Sequence, residues 1–123
     1  MKIGPCWSHQ IDAVQKLLRT NGWQDESLPS RSLIQHAYAY TAVEGDELAG
    51  FIRVITDGVL VTYVCEIVVT AKFGHQGVGR ALLDHVQNQF PGTRIDLLST
   101  QGAQGFYAAT GFSARPGYRR YDA

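Results

Sequence analysis

A glycine turn set between a strand and a helix constrains this chain more than any other stretch. The strand is Val64-Cys65-Glu66-Ile67-Val68-Val69, apolar and β-branched but for one carboxylate. The turn is Gly74-His75-Gln76-Gly77-Val78-Gly79. The helix that follows places Leu82, Leu83, Val86 and Phe90 on one side, with Asp84, Gln87 and Asn88 away from it, and Pro91-Gly92 stops it. A glycine-rich turn that opens a helix presents backbone N–H groups with no intrahelical partner. Those donors, with the positive end of the helix dipole, suit a phosphate or diphosphate. A Cβ there would hold the phosphate off the backbone. Arg80, in the first turn, opposes the dipole unless an anion lies nearby.

The pattern excludes two common phosphate binders. A nucleotide P-loop needs Gly-Lys-Ser/Thr, which is missing. The dinucleotide fingerprint needs G-x-G-x-x-G, whereas the spacing is Gly74-x-x-Gly77-x-Gly79, with Leu82 in the last glycine's place. The stretch Gln76-Gly77-Val78-Gly79-Arg80-Ala81-Leu82-Leu83 instead resembles the acetyl-CoA signature of the GNAT superfamily of N-acyltransferases. Gly74 departs from that signature, standing where Gln or Arg is usual.

Composition bounds the rest. A chain of 123 residues is read as one domain with one core. Eleven basic and eleven acidic residues balance, so no general basic field for nucleic acid is expected. No apolar run is long enough for a membrane span, and no signal-peptide pattern opens the chain. Cys6 and Cys65 lie far apart, and a cytoplasmic, reducing setting is expected. His9, His36 and His85 have no Cys or carboxylate at ligand spacing, so no metal site is expected.

Along the chain, residues 1–7 leave room for a short strand. Ser8 is read as the cap of a helix with Ile11, Val14, Leu17 and Leu18 inward, ended by Asn21-Gly22. Trp23 to Pro29 is a loop, and a short helix from Ser30 carries Leu33 and Ile34 inward. Strands follow at Tyr38–Val43 and Leu48–Thr56, joined by Glu44-Gly45-Asp46-Glu47. Asp57-Gly58 reads as a two-residue hairpin turn into the strand described first. Arg94–Leu98 is expected to be a strand parallel to the one before the glycine turn. Ala103–Thr110 suits a helix closed by Gly111, and Phe112–Tyr121 a last hairpin turning at Arg115-Pro116-Gly117. The fold class is α+β with a mixed sheet.

This order agrees with the GNAT acyl-CoA N-acyltransferase fold: antiparallel strands, then β-α-β with a splayed parallel pair, then a C-terminal hairpin. Phe106-Tyr107-Ala-Ala-Thr-Gly111-Phe112 resembles the family's FYxxxGF segment. The middle of the chain further resembles small members related to plant serotonin and arylalkylamine N-acetyltransferases. The family's Asn early in the final helix has no counterpart, since Thr100 and Gln101 occupy that place.

The resemblance implies acetyl-CoA as co-substrate. The diphosphate would rest on Gly74, His75, Gln76, Gly77, Val78, Gly79 and Arg80. Ile67, Val68 and Val69 would pair with the pantetheine arm like an added strand, one of their amides facing the thioester oxygen. Tyr107 would lie near the sulfur as a proton donor, and Glu66 would take the amine's proton.

The residues leave two readings of Glu66 open. An unpaired buried carboxylate is costly, so it is either a base or half of an ion pair with Arg53. With a two-residue turn at Asp57-Gly58, Glu66 falls opposite Ala49 and Arg53 opposite Thr62, about 13 Å apart along the strands. Cys65 should point to the other face from Glu66 and serve packing. Tyr107 can also be a packed aromatic. Trp23, Tyr38 and Tyr40 are read as core in preference to an acceptor pocket. The acceptor is expected to be a small-molecule amine, with a homodimer left open. The alternatives are a protein- or peptide-directed acetyltransferase and an acyl-CoA-binding regulator without turnover.

Overall fold

A computed structural model describes residues 1–36 and 38–122, the side chain of His36 excepted. The elements are β1 (Lys2–Pro5), α1 (Ile11–Thr20), α2 (Arg31–His36), β2 (Tyr38–Glu44), β3 (Glu47–Thr56), β4 (Val61–Val69), α3 (Val78–Gln89), β5 (Arg94–Asp96) and α4 (Gln104–Ala109). The five strands form one mixed sheet in the order β1-β2-β3-β4-β5. Pairing is antiparallel as far as β4, and β5 then lies parallel to β4. β1 fills the room left at the N-terminus.

Helices cover both faces of the sheet. α1 and α2 bury Ile11, Val14, Leu18 and Ile34 against Phe51 and Val68. Each such side chain, fully withdrawn from water, contributes roughly 1.5–3 kcal/mol. α3 buries Leu82, Leu83 and Val86 on the other face, against Ile52, Val54 and Val64. The spacing of these apolar residues along α1 and α3 is what the helical period requires. Tyr40 is core on the α3 side, edge-on to the His85 ring at 4.7 Å; Tyr38 packs edge-on against Phe90 at 4.9 Å but is half exposed, against the expectation that it is core. Trp23 packs beside the α1 cluster.

Several local expectations need correction. Ser8 opens a single 3₁₀ turn and does not cap α1. The Trp7 N–H donates to Gln10 Oε1 at 2.7 Å there. Ser30 does cap α2, accepting the Leu33 N–H at 3.0 Å, but Leu33 points outward and only Ile34 is buried. The stretch 23–29 contains a 3₁₀ turn at Asp25–Ser27. Residues 112–122 form no strand, so the expected C-terminal hairpin is absent. That tail has three arginines and a proline and no alternating apolar face, so a ladder there would bury little.

The β3–β4 connection departs furthest from expectation. Four residues, Asp57 to Leu60, separate the two strands, and five lie between the paired Thr56 and Thr62. Asp57 widens the connection: Oδ1 accepts the amides of Val59, Leu60 and Val61 at 2.9, 2.8 and 3.1 Å. A β-bulge follows, since Val54 faces Val64 while Arg53 faces Glu66, leaving Cys65 as the extra residue. The bulge inverts the alternation of β4. Val64 therefore packs on the α3 side, while Val68 packs on the α1 side. Glu66 shares the α1 face with its partner Arg53.

Candidate active site

The β4–β5 ladder is short. It pairs Val61 with Arg94, Thr62 with Ile95 and Tyr63 with Asp96, and there it ends. From Val64 to Val69, β4 is bonded among the described residues on its β3 side only. The two parallel strands part at that point, as expected. A buried hydroxyl cluster pins the closed end: Thr62 donates to Thr56 Oγ1 at 2.9 Å and shares a 2.8 Å hydrogen bond with Thr93. The backbone of β4 in the open part of the cleft offers donors and acceptors to an extended ligand, as a sheet edge does.

The glycine turn lies beyond the C-terminal end of β4. The Gly74 N–H donates to the Ala71 carbonyl at 3.1 Å, and the Ala81 N–H to Gly77 at 2.9 Å. Between them, the amides of residues 75–80 meet no acceptor among the described residues. His75 and Gly77 both hold positive φ, at 62° and 78°. The left-handed backbone is why residue 77 is glycine, for no atom lies within 4 Å of a Cβ placed there. Gly79 has a different reason. A Cβ at that position would lie 3.0 Å from the Phe106 ring, so the absent side chain admits α4 against the start of α3. The run of free amides and the positive end of a twelve-residue helix make an anion cradle. Arg80 is exposed beside it.

Glu66 and Arg53 form a two-pronged ion pair. Arg53 donates through Nε to Oε1 and through Nη2 to Oε2, each at 2.7 Å. Both side chains are nearly withdrawn from water, at 12% and 7% exposure. The hydrogen bonds and charge of Glu66 push the guanidinium pKa up. Cys65 lies within reach of both charges. Burial pushes its thiol up, Arg53 pulls it down and Glu66 adds to the rise.

Tyr107 stands in an aromatic cluster, edge-on to Phe106 at 5.1 Å and to Phe112 at 5.4 Å. Burial pushes its hydroxyl pKa up. The hydroxyl has no hydrogen-bond partner among the described residues, yet it is not sealed off: no buried side-chain nitrogen or oxygen there lacks a partner. A cavity of about 570 Å³ opens elsewhere, between β1, the start of α1 and the β2–β3 turn. Trp7, His9, Gln10 and Thr41 line it, and none of the sequence-derived site residues does. The free backbone groups and the Arg53–Glu66 pair are therefore candidates independent of that hollow. Among the described residues, no three His, Cys, Asp or Glu are grouped to hold a metal ion. No helix among them is long and apolar enough to cross a membrane.

A parted parallel pair, an anion cradle after its first strand and helices on both faces define an acyl-CoA N-acyltransferase architecture. The acetyltransferase (GNAT) domain family matches residues 11–123, and the chain belongs to that family. Solved structures agree on the fold. A GNAT-family acetyltransferase from Streptococcus pneumoniae TIGR4 superposes with a TM-score of 0.80 at 24% identity, covering 98% of this chain and 96% of that one. An aminoglycoside 6'-N-acetyltransferase from Acinetobacter haemolyticus gives 0.73 at 16%, covering 100% and 98%. An aminoglycoside acetyltransferase from an uncultured soil metagenomic sample, in complex with trehalose, gives 0.73 at 16%, covering 99% and 94%. No curated protein sequence matches the chain. The protein is an acetyltransferase of this family, and the family implies acetyl-CoA as co-substrate.

Sequence reasoning located the glycine turn and the parted strand, and it named an Arg53–Glu66 pair as one of two readings of Glu66, but the assumed register set the two residues about 13 Å apart. The only signal available was the pairing of one cation and one anion on neighbouring apolar strands. The turn length assumed at Asp57-Gly58 hid their meeting.

Proposed function

We propose that the protein transfers the acetyl group of acetyl-CoA to the primary amine of a small molecule, by direct attack with both substrates bound. The observation that carries this reading is the run of unpaired amides at residues 75–80, next to a strand whose outer edge is free. Acetyl-CoA supplies an acetyl group activated as a thioester.

Gly74, His75, Gln76, Gly77, Val78, Gly79 and Arg80 hold the diphosphate, chiefly through main-chain N–H groups. Ile67, Val68 and Val69 receive the pantetheine arm along the open edge of β4, and one of their amides steadies the negative charge that develops on the carbonyl oxygen. Glu66 takes the amine's proton, directly or through water. A free alkylamine has a pKa near 10, so it must lose that proton before it can attack. Carboxylate oxygens have about four acceptor sites, so the Arg53 fork leaves Glu66 lone pairs for the substrate. Tyr107, whose hydroxyl pKa burial pushes up, gives a proton to the leaving sulfur. The attacking nitrogen gains the acetyl carbon as the C–S bond breaks.

The aminoglycoside acetyltransferases among the similar structures act on small molecules bearing amines, which supports a small acceptor. The test joins calorimetry with coenzyme A to a thiol-release screen of acetyl-CoA against small amines and amine-terminated peptides. Micromolar coenzyme A binding with turnover of a small amine is expected. No heat of binding would overturn the reading, and turnover of peptides alone would move it to a protein-directed enzyme.

A further inference from the structure

The Arg53–Glu66 pair restricts what the acceptor can be. Arg53 uses its Nε–Nη2 edge on Glu66. Nη1 has no partner among the described residues. No buried side-chain nitrogen or oxygen there goes unpartnered, so Nη1 reaches solvent. The guanidinium thus keeps its Nη1–Nη2 edge for a second anion, and that edge matches a carboxylate in width and direction.

The position is suited to an acceptor. Both side chains lie on the α1 face of the sheet, and Glu66 belongs to the part of β4 that is free of β5. The Glu66 carboxylate and the Arg53 guanidinium sit side by side as a fixed dipole. A plain ammonium approaching Glu66 meets the Arg53 charge at nearly the same distance, so its attraction is largely cancelled. A molecule carrying an ammonium and a carboxylate a few bonds apart meets both charges with opposite ones. Asp96 on β5 is engaged by Arg94 at 3.0 Å.

We propose that the acceptor is an amine that bears its own carboxylate, of the amino-acid class, with its ammonium on Glu66 and its carboxylate on the outer edge of Arg53. This rests on the acetyltransferase reading above and makes Arg53 its specificity-determining residue.

The experiment measures kcat/KM for acetyl-CoA turnover with phenylalanine, leucine and glutamine. Each is compared with the amine that lacks only the carboxylate and with the amino-acid amide. Amino acids are expected to exceed both partners by at least about tenfold, the scale of a hydrogen bond to a charged group. Arg53→Lys should raise KM for the amino acids by about tenfold and narrow the gap, with coenzyme A affinity unchanged. Equal or better turnover of the amines or amides would overturn the inference and leave the acetyltransferase reading standing. A protein that binds coenzyme A but acetylates none of these compounds overturns the inference. If it also acetylates no other small amine, the small-molecule reading falls too. Should Arg53→Lys fail to fold, the substrate comparison on the unaltered protein decides alone.

Discussion

Phe106 rests on Gly79. The ring's Cζ would be 3.0 Å from a Cβ at residue 79, so the helix that carries Tyr107 is seated directly on the start of the helix that forms the anion cradle. Gly79→Ala sets two effects against each other. Alanine favours the helix by up to about 1 kcal/mol, and the ring contact costs a similar amount or more. Urea unfolding should show a small net loss of stability. In a Phe106→Ala background the same substitution should become neutral or stabilising, and a coupling energy near zero in this double-mutant cycle would rule the contact out.

Glu66→Gln should affect stability and chemistry together. Removing one charge of a nearly buried pair leaves the other uncompensated, with a cost of about 3–5 kcal/mol. Turnover should fall by about 10²–10⁴-fold if the carboxylate serves as base. Coenzyme A affinity, set at the turn, should hold. Lost stability with unchanged kcat would reduce the pair to a structural role.

Tyr107→Phe isolates a hydroxyl with no partner among the described residues, so stability at neutral pH should change by less than about 0.5 kcal/mol. Turnover should drop by about tenfold or more. Burial raises the Tyr107 pKa in the folded state. Its contribution is therefore fully present below the unfolded value of about 10 and is lost as pH rises above it. Denaturation followed from pH 8 to 11 should show a steeper loss for the native protein than for Tyr107→Phe.

Asp57 has the opposite sign. Three backbone amides hold its carboxyl below the usual range. Its support of the β3–β4 loop is present above the unfolded pKa of about 3.9 and fades as pH falls through the lower folded value. Asp57→Ala should lower the melting temperature at pH 7, and the difference from the native protein should shrink below about pH 4. A gap that stays constant with pH would mean that the ionised form has no special part.

The same aspartate marks where the sequence stopped being legible. Apolar periodicity located β2, β3, β4, α1 and α3, because one buried face dictates each pattern. The cradle was legible because glycine spacing reports backbone conformation directly. Register was not. Asp57-Gly58 carries a strong hairpin signal, yet the side chain of Asp57 gathers three amides and makes the loop longer. Nothing in Val64-Cys65-Glu66 announces a bulge. The two errors together placed Arg53 and Glu66 about 13 Å apart, where the structure joins them. Leu33 failed for a simpler reason: on a helix of six residues, two adjacent apolar positions do not fix which one turns inward.

The extra residue in β4 works like a half-wave shift in a periodic signal. Upstream of Cys65 the strand beats in phase with one helical layer, and downstream with the other. Excising that single residue would leave Val54 opposite Val64 and Arg53 opposite Glu66 in an unbroken ladder, each side chain keeping its present face. A register that instead drew Cys65 into the ladder opposite Arg53 would set Glu66 opposite Ile52, on the α3 side, stripping the carboxylate of its cation and pressing it into hydrocarbon.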